Sequence, residues 1–431
     1  MSYEKFITNL LNVKLSDIQS VTSSTQKDGA LLLKIRLSAK NPPCPVCCQP
    51  SKIHGYYKRR LTHATLSNRQ CFIVYEQRRY ICPECSTTFS ELNPFIDTSE
   101  RITYETKINV LKALKRPENT YTSVAQCYNL TPTKVTRIFD KYIDIARKPL
   151  PMVLSIDEHY LPNSDHGAKY CCLFMDFQTG NLVDVIHDRR KSCLVDYFSK
   201  IKNSTLNMQT LKSELDNVKY ISIDMYDTYR DIAHIFFPQA KVCADSFHVL
   251  KHLTDDFRKL RVRLLRNTED PLLRYLLIQF RHVFDHNKNL DNEPRYNKRL
   301  RQFVNLREIR EILFNAFSEL KAAYELKEYY IRVNAQTAPE NAAKALDEAI
   351  TIFEGCGIDE YEEFYRMLLN WRIQIINSFI RINGRRINNS YMESKNRIVG
   401  RLIFNANGFK NFKRTRNRIL YCLNENETFH L

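Results

Sequence analysis

Residues 153–157, "VLSID", return in nearly the same form at 220–224 as "YISID", a short apolar run that closes on an aspartate. Each run has the length and β-branched content of a buried strand. One aspartate at a strand end is an ordinary turn or helix-capping residue. Two in the same context point further, because in α/β sheets ligands meet the backbone at the carboxyl ends of strands.

Working outward, "MVLSID" (152–157), "AKYCCLFMDF" (168–177) and "NLVDVIHD" (181–188) predict three successive strands. Gln178, Thr179 and Gly180 make a turn between the last two. A helix over about 191–202 follows, then the strand "VKYISID" (218–224), a helix in "YDTYRDIAHIFF" and a strand "KVCAD" (241–245). From 246 to about 380 the periodicity is helical, as in "FHVLKHLTDDFRKLRVRLLRN" and "LREIREILFNAFSELKAAYELKEYY". Three strands with a hairpin, a helix, a fourth strand, a helix, a fifth strand and a late acidic helix is the layout of the RNase H-like fold. Its first and fourth strands are neighbours, so Asp157 and Asp224 are expected close together. The chain thus reads as multidomain α+β, with an RNase H-like α/β catalytic core (149–249 and 381–431) interrupted by a large all-α insertion (250–380).

The late helix is "NNSYMESKNRIVGR" (388–401), where Glu393 is the only acid between Glu363 and Glu425 and thirteen Lys and Arg share that interval. On a helix Asn389, Glu393, Asn396, Arg397 and Gly400 share one face. A surface ion pair with Arg397 would explain the glutamate for a few tenths of a kcal/mol. It would not explain the asparagines or the basic surround. A third carboxylate beside Asp157 and Asp224 gives a set of hard oxygen ligands suited to Mg2+. Two such ions can activate an attacking oxygen and stabilise the leaving oxygen at phosphorus.

Ahead of this core, residues 1–40 read as an N-terminal α/β segment: an amphipathic stretch, then "ALLLKIRLSAK", which alternates with the period of a half-buried strand. Residues 41–98 carry Cys44-Pro-Val-Cys47 and Cys82-Pro-Glu-Cys85 with 34 residues between Cys47 and Cys82. Two such turns complete a closed tetrahedral site, so a zinc-binding ribbon with structural Zn2+ is expected. A redox pair is the alternative, but the βαβ pattern of thioredoxin-like motifs is missing. Cys48 and Cys71 are either substitute ligands or small buried residues, the second being favoured, and Cys127, Cys171, Cys172, Cys193, Cys243, Cys356 and Cys422 are expected to fill core space. "HGYYKRRLTH" and "EQRRY" offer cations and tyrosines that either grip a phosphate backbone or stay solvated.

Residues 99–148 predict a helix-turn-helix DNA-binding domain: Ser123 to Tyr128, a turn at Asn129 and Leu130, then Thr131 as N-cap with Pro132 at the first helical position. Val135, Ile138, Phe139, Tyr142 and Ile143 share the inner face. That leaves Thr133, Lys134, Thr136 and Arg137 for a DNA groove; a plain three-helix packing module is the other reading.

A formal charge of +17 and a pI near 9.2 draw the chain toward phosphate backbones and anionic membranes alike. No run approaches the ~18–20 apolar residues of a membrane span, and the first residues lack a signal peptide's apolar stretch. A cytoplasmic, nucleoid-associated protein without a membrane partner is expected, in which thirteen cysteines favour metal over disulfides.

Together these stretches resemble the ISL-three family of bacterial insertion-sequence transposases, one of the DDE enzymes. The similarity spans nearly the whole chain: both cysteine knuckles, the helix-turn-helix, "IDE" at 156–158 with Arg189 in the "DRR" that follows, "IDMYDTYRDIAHIFFPQAKVCADSFHV" from 223, and "NNSYMESKNRIVGRLIFNANGFKNF" from 388. The resemblance implies that Asp157, Asp224 and Glu393 are catalytic and hold Mg2+ (or Mn2+), with Asn396 and Arg397 in support. It places Asp245 and His248, from "ADSFHV", beside them; a strand-end cap and a core histidine are the plain readings of that pair. The chain departs from the family pattern at Ser246, Gly400 and Ile403, with Arg397 and Arg401 as substitutes for the lysines expected there.

The activity so implied is that of a DNA transposase. The ribbon and helix-turn-helix bind terminal inverted repeats, and the core cleaves phosphodiester bonds at the element ends and joins the 3′-hydroxyl to target DNA. Its partners are double-stranded DNA and further copies of itself, in a homodimer or higher synaptic complex. A catalytically silent DNA-binding regulator and a Mg2+-dependent nuclease without strand transfer are the alternatives. The lone Trp371 is expected to pack near the re-entry into the core, with stacking on a flipped base as the other role.

Overall fold

The computed structural model describes residues 13–66, 69–97, 99–161, 167–406 and 410–429; most of the amphipathic stretch expected at the start lies outside them. Two compact units are formed, one by the chain up to Ala146 together with the segment from Ile398 onward, the other by most of the chain between Arg147 and Arg397.

In the first unit β1 (Ile18–Thr25), β2 (Leu31–Leu37), β3 (Lys52–Leu66) and β4 (Arg69–Ile81) form a sheet in the order β1-β2-β4-β3, with β5 (Thr88–Ser90) also paired to β4. The pair β2–β4 is parallel and the rest antiparallel. Period-two alternation buries Leu33 and Ile35 while Lys34 faces water. They join Leu61, Ile73, Tyr75, Phe95 and Ile96 in one core. Arg78, in "EQRRY", is buried rather than presented to a ligand: it pairs with Glu91 (2.9 Å) and donates to Gln19 Oε1 (2.7 Å).

Three helices follow, α1 (Tyr104–Leu114), α2 (Tyr121–Cys127) and α3 (Pro132–Tyr142). Asn129 takes the left-handed conformation in the turn (φ 51°). The Thr131 hydroxyl accepts from the Lys134 N–H, and Pro132 opens α3. Pro cannot donate a backbone hydrogen bond, so its place is the first turn, where none is needed. The C-terminal helix Phe412–Leu423 packs on this group. Tyr421 donates to Leu111 O (3.1 Å), Arg414 pairs with Asp140 (2.6 Å), and the buried Arg418 donates to Asn119 O (2.7 Å).

The second unit holds β6 (Val153–Tyr160), β7 (Tyr170–Asp176), β8 (Leu182–Ile186), α4 (Lys191–Thr205), β9 (Tyr220–Ile223), α5 (Asp227–Phe236), β10 (Lys241–Ala244) and α6 (Ser246–Asn267). The sheet order is β10-β9-β6-β7-β8, with β6, β9 and β10 parallel and β7 antiparallel to both its neighbours. One face, with Leu154, Ile156, Ile221, Ile223, Val242 and Ala244, joins a large core that runs on into the helical insertion. The other face packs Val153, Phe177 and Cys243 against Ile387, with Ile380 and Ile382 beside them. The chain just ahead of the late helix is thereby seated over the sheet.

The insertion is not wholly helical. Beside α7 (Pro271–Gln279), α8 (Leu306–Ala316), α9 (Ser318–Gln336), α10 (Ala342–Glu354), α11 (Glu362–Asn370) and α12 (Arg372–Asn377) it contains a hairpin, β11 (Arg295–Asn297) and β12 (Gln302–Val304). A second hairpin, β13 (Arg381–Ile382) and β14 (Arg385–Arg386), leads into α13 (Ser390–Asn405). Trp371 is buried between α11 and α12, with the Arg230 guanidinium 4.3 Å from its ring centroid. That burial favours packing over base stacking. Cys48 and Cys127 are exposed, against the expectation of core filling; Cys48 takes φ 57° at the outer edge of its turn.

Candidate active site and metal centres

Parallel pairing sets Ser155 opposite Ser222, Ile156 opposite Ile223, and Ile223 opposite Ala244. The next residue on each strand is an aspartate, so Asp157, Asp224 and Asp245 stand abreast. The repeated "SID" of the sequence is therefore a repeat in space. Asp157 does not end its strand as predicted: β6 runs on to Tyr160 because β7 continues to pair with it, whereas β9 stops at Ile223.

Asp245 caps α6, accepting from the Phe247 N–H (3.4 Å), and one turn later His248 Nε2 lies 3.2 Å from Asp224 Oδ2. Ligand atoms of Asp224, Asp245 and His248 all lie within 4.8 Å of one another. Asp157 lies close enough to Asp224 for the two carboxylates to repel. Its Oδ1 accepts from the Glu158 N–H (2.7 Å) and its Oδ2 from Asn396 Nδ2 (2.5 Å). Asn389, buried at the start of α13, donates its N–H to Asp245 Oδ1 (3.2 Å) and Nδ2 to Ile156 O (3.3 Å). These two bonds dock α13 onto the sheet. Its next turn carries Glu393, whose carboxyl feels Asp245, His248 and Arg397.

The predicted Asp157, Asp224, Glu393, Asp245, His248 and Asn396 thus come together in this unit, with Arg397 exposed beside them. In the other unit Thr133, Lys134 and Arg137 are exposed on α3, while Thr136 is half-buried and its hydroxyl donates to Pro132 O (2.9 Å). Residue spacing alone missed Glu158. Its side chain pairs with Arg189 and accepts from Tyr229 (2.8 Å), and the Arg189 guanidinium sits 4.3 Å from the Tyr170 ring. The acid's position next to Asp157 was the available signal.

Burial, then the neighbouring Asp224, pushes Asp157 up to about 8; burial, then Asp245, pushes Asp224 up to about 7. Asp245 and Glu393 are raised chiefly by burial as well. Among the described residues, Asp224 Oδ1, Asp245 Oδ2 and Glu393 Oε1 are buried without a hydrogen-bond partner, as are Asn389 Oδ1 and Asn396 Oδ1. Acceptors crowded together without donors are costly to bury and suit a hard cation. Apart from His248 the donors are all oxygen, which fits Mg2+ or Mn2+.

A pH dependence follows. Bound protons must leave before a cation binds, so Mn2+ affinity is expected to rise from pH 5 and level off only once the pH has passed well beyond the Asp157 value of about 8, where both aspartates are ionised. Calorimetry in buffers of different ionisation enthalpy should show proton release at pH 6 that fades by pH 9. Equal release at both would remove the two aspartates from the ligand set.

In the first unit Cys44, Cys47, Cys82 and Cys85 cluster, with sulfur separations of 3.5 Å (Cys44–Cys85), 3.4 Å (Cys47–Cys82) and 3.5 Å (Cys47–Cys85). The edge of a tetrahedron with ~2.3 Å Zn–S bonds is ~3.8 Å. The two knuckles match: Cys48 N donates to Cys44 O and Ser86 N to Cys82 O, and both donors have φ 57°. Thr87 holds the Cys85 thiol down to about 6, toward the thiolate that a metal needs. Four thiols and no open position make this a structural zinc site.

Among the described residues no helix is long and apolar enough to cross a membrane. No curated protein matches the chain. A zinc-ribbon family described as "zinc-finger of transposase IS204/IS1001/IS1096/IS1165" matches residues 40–85. The ISL3 DDE family, described as "Transposase", matches residues 154–419, well over half of the chain and the whole of the acidic cluster. The chain therefore belongs to the ISL3 family of transposases, whose business is with DNA.

Proposed function

We propose that the chain cleaves phosphodiester bonds at the ends of its insertion sequence and joins the freed 3′-hydroxyls to target DNA, using an RNase H-like core. The observation that carries this reading is the row of Asp157, Asp224 and Asp245 on three parallel strands, with buried carboxylate oxygens that lack donors. The strand order, with its antiparallel β6–β7–β8 meander and parallel β9 and β10, supports the RNase H-like assignment.

Asp157, Asp224 and Glu393 would hold Mg2+, which when bound supplies charge stabilisation at the phosphorus undergoing attack. The chain's own residues do the positioning. Asn396 and the Glu158 N–H fix both oxygens of Asp157. His248 orients Asp224, and Asn389 ties α13 to the strand ends so that Glu393 faces them. Arg397, exposed beside Glu393, is placed to neutralise a DNA phosphate.

The paired helices α2 and α3 with their capped turn support a helix-turn-helix. Thr133, Lys134 and Arg137 would read the terminal inverted repeats, and the zinc ribbon would add backbone contacts. Joining two ends to one target calls for at least a homodimer. The test incubates wild-type protein with Mg2+ and duplex DNA bearing the element ends. Nicking at the end followed by joining to a second duplex is expected. Nicking without joining would leave a nuclease, and binding without nicking a regulator.

A further inference from the structure

Residues 294–307, "PRYNKRLRQFVNLR", contain five cations and no acid. They include the hairpin β11–β12, whose register sets Tyr296 directly opposite Phe303. Alternation along each strand turns Asn297 and Val304 inward, where both are buried. It turns the two aromatic rings outward: Tyr296 is 55% and Phe303 69% exposed, with ring centroids 5.4 Å apart. The loop is built to hold them there. Asn297 Oδ1 accepts from the Arg299 and Leu300 N–H groups (3.0 and 3.2 Å), and Arg301 closes the turn at φ 55°.

Only Arg307 of the five cations is engaged in an ion pair among the described residues, with Asp291 (2.7 Å). Arg295, Lys298, Arg299 and Arg301 are exposed on the same hairpin, Arg299 with its guanidinium 4.8 Å from the Tyr275 ring centroid. A groove of about 590 Å³ runs along the hairpin past Arg295, Lys298 and His282. His282 also lines the neighbouring cavity of about 700 Å³, which holds Arg258, Arg261 and Arg281. Asp255 and Asp285 line that cavity too, yet neither Arg258 nor Arg281 makes an ion pair among the described residues. Two large rings exposed side by side form an apolar patch, unlike the single exposed rings found elsewhere on the chain. Exposed rings on a hairpin segment whose cations, Arg307 apart, make no ion pair among the described residues match the chemistry of nucleic acid whose bases are unstacked: aromatic faces for the bases, guanidinium groups for the phosphates.

We propose that this hairpin and the adjoining cationic cavity bind a DNA strand with unpaired bases, Tyr296 and Phe303 stacking on bases while Arg258, Arg281 and the hairpin cations hold the backbone. The source of such a strand, a cut or distorted element end, rests on the function proposed above; the binding itself does not.

The test titrates fluorescent oligodeoxythymidine, and a duplex of equal length, with full-length zinc-loaded protein. Tyr296→Ala/Phe303→Ala is expected to weaken single-strand binding by roughly tenfold or more, with duplex binding within about twofold. Tyr296→Leu/Phe303→Leu, which keeps apolar bulk without a π face, should lose the same affinity. Arg258→Ala/Arg281→Ala should weaken both ligands and lower the salt dependence of binding. Unchanged single-strand affinity in the aromatic variants overturns the proposal. So does a loss of self-association in those variants with DNA binding intact, which would make the rings a contact between copies. Wild-type protein that binds the single strand but never nicks an element end would sink the proposed function and leave this inference standing.

Discussion

On the function proposed above, Asp224→Asn is expected to lower Mg2+-dependent nicking of element ends by at least about 10³-fold, since loss of a ligand to the metal would remove several kcal/mol of charge stabilisation at the reacting phosphate. The same substitution should raise the thermal midpoint in EDTA. Between the aspartate's ordinary value of 3.8 and its folded value of about 7, the folded state binds more protons than the unfolded state. Stability therefore falls as pH rises through that window. An uncharged amide escapes the loss, a gain on the order of a few kcal/mol at pH 8. Thermal scans of both proteins in EDTA should show the gap at pH 8 and a smaller one at pH 5. A variant that melts below wild type at pH 8 would refute the crowding of carboxylates, whatever its activity.

Cys82→Ser is the second large effect. Structural zinc sites contribute on the order of 10 kcal/mol to the folded state of small ribbons. Here the knuckles sit where β3 begins and β4 ends, at Lys52 and Ile81, away from the core around Leu61, Ile73 and Tyr75. The variant should lose the single zinc per chain, measured by metal release, together with hydrogen-exchange protection of residues 52–56 and 77–81. The sheet centre should survive, and affinity for end DNA should drop by about 100-fold or more. Cys48→Ser, at an exposed thiol outside the cluster, should keep zinc and binding; if it loses the metal, the four-cysteine assignment is wrong.

Much of this was readable before any coordinates because local chemistry and tertiary register coincide. "VLSID" and "YISID" are apolar strands that pair in parallel with like residues opposite, so sequence identity becomes lateral alignment. The capped entry of α3 was equally plain, since Thr131 and Pro132 act within one turn. What escaped depends on distant partners. Nothing local says that β6 outruns β9 to Tyr160; the extension is imposed by β7. Arg78 looks like a phosphate ligand until Glu91 and Gln19 close around it. The hairpin at 295–304 is too short and too charged to show a strand period within a helical region. Cys48 was misjudged because a thiol's burial is set by its turn, here one that points it outward.

The C-terminal helix Phe412–Leu423 belongs with α1 to α3, through Tyr421, Arg414 and Arg418. A ribosome therefore releases the whole of the second unit before the first can close. At ~5–20 residues per second, the earliest helices wait some tens of seconds for their last partner. A copy of the gene with a stop codon or frameshift ahead of residue 412 would yield a chain that fails to finish the unit it began making first.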